Sequence, residues 1–216
     1  MINMDFSKTV VIDTSAMDWV TSPAPGVWRK PLARAEAERG HATSIVRYEA
    51  GASFRRHDHP LGEEILVLDG VFSDESGDYG AGTYFRNPEG FRHAPFSKEG
   101  CVILVKLHQF QSDDHAHVSI ETHKSDWQYH DSGFRTLELH RHRDEIVMLV
   151  DWPAGGKNAF HNHPGGEELY VLSGELGDEN YSYPAGTWAR HPHMSGHAPY
   201  ANVDTLLWLK LGHLPK

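Results

Sequence analysis

A group of residues in the first half of the chain is of types and spacing that could bind a transition metal. His57 and His59 stand two positions apart, Glu63 follows with Glu64 beside it, and His93 arrives later. On an extended strand, residues two apart project to the same face, so His57 and His59 form a two-toothed clamp. Pro60, Leu61 and Gly62 read as a turn that sends the chain back. An acidic residue at the start of the next strand then comes beside the two imidazoles, and His93 reaches them from a third strand. Periodicity alone leaves Glu63 and Glu64 both open, because they face opposite sides of that strand. Three neutral imidazoles and one carboxylate make a borderline-soft site. It suits Zn, Fe(II), Mn, Ni or Cu and poorly suits Ca or Mg. An octahedral ion held this way keeps two positions open to water, dioxygen or substrate, whereas tetrahedral zinc is closed by the same donors.

The same set recurs as His161, His163, Glu167 and His197, and the whole neighbourhood recurs with it. Residues 45–110 align with 149–214 without gaps at an offset of 104, the step from His57 to His161. HDHPLGEEILVLDG meets HNHPGGEELYVLSG, GDYGAGTYFRNP meets YSYPAGTWARHP, and HAP at His93 meets HAP at His197. A lone HxH in a chain with 17 histidines means little. The pairs at 115–117, 140–142 and 191–193 read as surface coincidences, and His191 and His193 align with Asn87 and Glu89 rather than with histidines. Chance does not readily place three histidines and a glutamate twice at one offset. Arg86 and Arg190, Tyr79 and Tyr183, and Asp74 and Asp178 also repeat; packing and ion pairs in turns are the expected roles for them. Tyr84 with Trp188 and Phe85 with Ala189 differ in size at matching positions. Two barrels lined by them would not accept the same ligand.

The elements that must position these residues are short apolar runs: TSIVRYEA, EEILVLDG, GTYFR and CVILVKL, then VMLVDW, EELYVLSG, GTWAR and TLLWLKL. Glycine and proline punctuate them, a pattern that predicts an all-β sandwich or barrel. Two copies are too few, and the period too long, for a solenoid. Duplicated domains are expected instead, at 1–112 and 121–216, with the polar stretch QSDDHAHVSIET at the boundary. The stretch PLARAEAERG, 31–40, reads as a helix or a solvated turn.

Composition narrows the partners. A formal charge of −10 offers little to a phosphate backbone, so nucleic acid is not expected. Cys101, the lone cysteine, excludes an internal disulfide and a CxxC site, and in CVILVKL it reads as a buried small hydrophobe. Asp5, Lys8 and Asp13 interrupt the N-terminus, which therefore does not read as a signal peptide, and no later segment reaches the 18 or more apolar residues of a span. A cytoplasmic protein with no membrane partner is the expectation.

These residues resemble the cupin superfamily. Its first motif, Gly-x5-HxH-x3-Glu-x6-Gly, is met by Gly51, His57, His59, Glu63 and Gly70, and again by Gly155, His161, His163, Glu167 and Gly174. The second motif is met in part, since Phe85 and Ala189 stand where its histidine would be. The late histidine in HAP and the stretch GEEILVLDGVFSDESGDYGAGTYFRNPEGFRHAP are similar to the subgroup typified by the cupin domain of the anti-sigma factor ChrR and by related dioxygenases. The resemblance implies two tandem jelly-roll (double-stranded β-helix) barrels, with Glu63 and Glu167 rather than their neighbours as ligands. Each barrel would hold one divalent ion, zinc first and Fe(II), Ni or Mn after it, on His57, His59, Glu63 and His93, and on His161, His163, Glu167 and His197. The N-terminal helical zinc module of ChrR-type anti-sigma factors has no counterpart in this sequence, so a sigma factor is not expected as a partner by that route. Two roles follow as expectations. One is a sensory, regulatory or ligand-binding metal protein. The other is a dioxygenase cleaving a small diketone or aromatic ketone. A sugar- or metabolite-binding bicupin with one degenerate barrel fits less well, because both ligand sets are intact.

Overall fold

The computed structural model describes residues 1–36 and 40–216. Strands dominate it, and the helical elements among the described residues are two single 3-10 turns, Thr14–Ala16 and Thr122–Lys124. None is long and apolar enough to cross a membrane.

The chain divides into two compact units, and they are not consecutive in sequence. Met1–Met4 with Asp18–Lys124 form the first, and Asp5–Met17 with Ser125–Lys216 the second. The repeat places a boundary between 112 and 121. The structure gives the Val118–Glu121 strand to the first unit, paired with Thr83–Asn87, and the Val10–Asp13 strand to the second, paired with Thr187–His191.

In the first unit the antiparallel sheet runs Val118–Glu121, Thr83–Asn87, Glu63–Asp74, Cys101–Leu107, Ala42–Tyr48, Val27–Arg34 and Val20–Thr21. Alternation sets its faces. Ile65 and Val67 on one strand and Ile103 and Val105 on the next point inward with Val27 and Tyr48 to form the core. Cys101 belongs to this cluster, and burial pushes its thiol up to about 11. The second unit repeats the order with Val10–Asp13, Thr187–His191, Glu167–Ser173, Thr205–Leu211, Glu145–Trp152, Arg135–His142 and Gln128–Tyr129. Its core includes Leu169, Val171, Leu176, Tyr183 and Leu207.

The expected helix or turn at 31–40 gives way to strand. Val27–Arg34 pairs with Ala42–Tyr48, and the register shifts between Pro31 and Ala33. A bulge is where a strand tolerates a proline that cannot donate to the ladder, and burial of Leu32 and Ala33 overrides the helical preference of the segment. Residues 37–39 of that expectation lie outside the described residues.

Gly70 and Gly174, the last glycines of the repeated motif, adopt φ of +70° and +79°. A side chain there would overlap the carbonyl oxygens of Gly100 and Asp204. Each glycine lets its strand turn off the main sheet against a neighbouring backbone.

Candidate metal centres

A two-stranded ladder in each unit sets the first pair of histidines. His57–Asp58 pairs with Arg92–His93 so that His57 lies opposite His93, and His161–Asn162 pairs with Gly196–His197 so that His161 lies opposite His197. Ring nitrogens of His57, His59 and His93 gather within 4.8 Å of one another, and those of His161, His163 and His197 do the same.

The adjacent strand supplies the carboxylate. Glu63 Oε2 lies 3.5 Å from His59 Nε2 and 3.4 Å from His93 Nε2, while His59 Nε2 and His93 Nε2 are 3.0 Å apart. In the second unit Glu167 Oε2 lies 3.7 Å from His163 Nε2 and 3.6 Å from His197 Nε2. Donors bound at about 2.1 Å to one ion stand about 3.0 Å apart in an octahedron and about 3.4 Å apart in a tetrahedron, so both clusters enclose an ion-sized gap. The neighbouring glutamates point away. Glu64 receives a hydrogen bond from the fully buried Arg86, and Glu168 receives one from Trp188. The alternative that strand periodicity left open therefore falls to Glu63 and Glu167 as the inward pair.

The fit to a cation is tested by the donors themselves. His163 Nε2, His197 Nε2 and Glu167 Oε2 are buried and have no hydrogen-bond partner among the described residues. Such atoms are costly to bury unless something bridges them. Burial, helped by the neighbouring imidazoles, pulls His163 down to about 3. Burial and the charge of Asp178 push Glu167 up to about 8. His59 is also lowered, chiefly by burial. His93 is raised: burial pulls it down, but the hydrogen bond to Asp74 and nearby carboxylates outweigh that. A neutral imidazole is the form that can coordinate, and a buried carboxylate without a cation beside it holds its proton.

The outer nitrogens are pinned. His57 Nδ1 meets the Arg55 carbonyl and His161 Nδ1 the Ala159 carbonyl, each at 2.9 Å. His93 Nδ1 lies 3.1 Å from Asp74 Oδ2, and His197 Nδ1 lies 3.0 Å from Asp178 Oδ2. These contacts fix the tautomer that turns Nε2 toward the centre, which is how metal-binding histidines are commonly oriented. Asp74 and Asp178 do serve their turns, as expected, by accepting from the backbone amides of Ser76 and Asn180. Their part in holding the histidines was not read from the sequence, although the shared offset of 104 between Asp74 and Asp178 marked them.

The two centres are not identical. Asn87 donates to Glu63 Oε2 at 3.0 Å. His191 occupies the matching position in the second unit, where its Nε2 stands 3.4 Å from the Tyr183 hydroxyl and its ring 5.6 Å from that of His197. Reading His191 as a surface coincidence was therefore incorrect: it is buried beside the centre, and burial lowers it to about 4. His140 is buried too, while His115 and His117 are exposed as expected.

Each centre opens on a cavity, of about 170 Å³ in the first unit and about 770 Å³ in the second. His57, His59 and Glu63 line the first; His161, His163, Glu167 and His197 line the second. Tyr84, Phe85, Trp188 and Ala189 line neither, so the difference in size arises elsewhere.

A family model described as the ChrR cupin-like domain matches the chain twice, over residues 7–111 and 115–215. Among solved structures, a candidate dioxygenase from Nostoc punctiforme superposes with a TM-score of 0.78 at 16% identity, covering 97% of this chain and 85% of that one. Protein Ylba from E. coli superposes with a TM-score of 0.75 at 13% identity, covering 100% and 95%. Bacillus subtilis oxalate decarboxylase, studied for its Mn(II) centres, superposes with a TM-score of 0.67 at 14% identity, covering 95% and 78%. No curated protein sequence matches. At these identities the likeness is one of fold, and it is the fold the sequence predicted: all-β, with two cupin repeats.

Proposed function

Since the chain belongs to the ChrR cupin-like family through both of its halves, we propose that it is a divalent-metal-binding bicupin with a sensory or ligand-binding role. His57, His59, Glu63 and His93 would hold one ion, and His161, His163, Glu167 and His197 a second. The observation that carries this reading is the convergence of buried donor atoms lacking protein partners in the second centre, on a scaffold that repeats in the first. Zinc is the expected metal, with Fe(II), Ni or Mn as alternatives.

When bound, the ion would supply a Lewis acid able to polarise an oxygen of a ligand in the adjoining cavity. The chain's own groups do the rest. Asp74 and Asp178 orient His93 and His197, and Asn87 fixes Glu63. Protein purified without added metal should contain two equivalents by elemental analysis. Alanine at His57 and His59 should remove one equivalent, and alanine at His161 and His163 the other. Metal-free protein, or an unchanged metal content in both variants, would overturn the assignment.

The second reading is an oxygen-consuming enzyme acting on a small diketone or aromatic ketone. Two features of the second centre favour it: the larger cavity, and Glu167 Oε2, which no hydrogen bond restrains and which can accept a proton from a ligand beside it. Iron in the purified protein together with oxygen uptake on such ketones would establish this reading and displace the sensory one. Zinc-loaded protein inert toward the whole panel would exclude it.

A further inference from the structure

The difference between the two cavities can be traced to individual positions. At the common offset of 104, Phe54 corresponds to Asn158 and Phe72 to Leu176. In the first barrel Phe54 packs 5.4 Å from His57, and Phe72 meets Tyr48 edge-on at 5.8 Å and Phe85 at 5.6 Å. Both phenyl rings line the smaller cavity, whereas Asn158 and Leu176 line the larger one. The second barrel thus lacks two rings that the first carries, one at the exposed position of Asn158 and one in the buried wall at Leu176. Ile146 and Met148 replace Ala42 and Ser44 there without refilling the space: both stay only half-buried although strands flank them on both sides.

Register locates the space relative to the centre. Glu167 lies opposite Leu211, and Leu211 opposite Ile146. One rung away come Leu169, Leu209 and Met148, and the next rung holds Leu207 and Val150. The four steps from Leu211 to Leu207 span about 13 Å along a strand. The cavity wall therefore begins at the histidine–glutamate cluster and runs along an aliphatic surface for that distance. Its aromatic lining, Phe134 and Trp152, is engaged face to edge with itself at 4.4 Å.

From this we infer that the second barrel binds an elongated amphipathic ligand. Its aliphatic body lies along the Leu–Ile–Met–Val wall, its oxygen-bearing head sits at the centre formed by His161, His163, Glu167 and His197, and Asn158 and Leu176 are the residues that admit it. The head-group part rests on the metal reading above; the accommodation of the body does not. Each methylene buried against such a wall is worth roughly fourfold in affinity, so chain length is the variable to probe.

The test is calorimetric titration of the purified protein with sodium decanoate and with sodium acetate, which share a head and differ in the body. The expected result is one decanoate per chain, bound at least tenfold more tightly than acetate. Asn158→Phe, at an exposed position, and separately Leu176→Phe, should remove the gain from chain length while the metal content of both variants stays at that of the parent protein. If Leu176→Phe does not fold, Asn158→Phe alone decides. Decanoate binding no tighter than acetate, or a chain-length gain that survives filling, overturns the proposal. Acetate binding that persists unchanged in protein stripped of its metal contradicts the metal reading instead, and the response of decanoate to Asn158→Phe still tests the cavity by itself.

Discussion

The carboxylate of Asp178 accepts from His197 Nδ1, from the Tyr183 hydroxyl and from the backbone amides of Asn180 and Tyr181. So many donors fix its charge in place, and with it one tautomer of one histidine. Removing such a support typically lowers metal affinity by roughly 10–100-fold. Asp178→Ala is predicted to weaken the second centre by that factor and to spare the first, measured by chelator competition in proteins carrying one intact centre each. The paired glutamates give a sharper contrast. Glu63→Ala should abolish metal binding in the first centre. Glu64→Ala should retain it while lowering stability by roughly 1–3 kcal/mol, because it withdraws an acceptor from the buried Arg86; denaturant melts and metal analysis of the same two proteins separate the effects. At this scale the sequence was most informative about donors, since residue type and a repeated spacing define them. It was least informative about His191. Nothing in its alignment with Asn87 signals burial beside the centre, because burial depends on strands distant in sequence.

The Glu63–Asp74 and Glu167–Ser173 strands connect the centres to the cores, and each passes close to a backbone at its glycine. Gly70→Ala and Gly174→Ala should each destabilise the protein by more than the 1–2 kcal/mol that a left-handed backbone alone costs a side chain, since the added methyl also meets a carbonyl oxygen. Gly51→Ala and Gly155→Ala, at φ of +79° and +82° with open space around them, should show only the backbone cost. Thermal melts of the four variants rank the two effects. The strands themselves were legible from their alternation and from the glycines and prolines between them. Two assignments were not. Pro31 to Arg34 reads as helix-compatible by residue type, yet Leu32 and Ala33 are drawn into a strand by burial. The Val10–Asp13 strand carries no mark of its partner, and only pairing with Thr187–His191 assigns it to the second unit.

Duplication gave this molecule two versions of one site, and divergence has altered what surrounds the donors more than the donors themselves. In the first version, Asn87 restrains the carboxylate and phenyl rings narrow the cavity. In the second, the carboxylate oxygen lacks a protein partner and the interior is open. On the proposed reading, the first would hold an ion for stability and the second would present one to a ligand. Metal removal is therefore predicted to lower the melting temperature through both centres, as for any ion that binds the folded state alone, whereas decanoate should raise it only while the second cavity is open. Differential scanning calorimetry with and without chelator reads both. The claim beneath all of this is that three histidines and a glutamate in each barrel close on one ion. The most direct test is a crystal structure of the protein as purified, with anomalous scattering recorded at the absorption edge of its metal. Two peaks per chain are predicted, one bounded by His57, His59, Glu63 and His93 and the other by His161, His163, Glu167 and His197. Peaks at other residues, or none at either cluster in protein shown to carry metal, would contradict it.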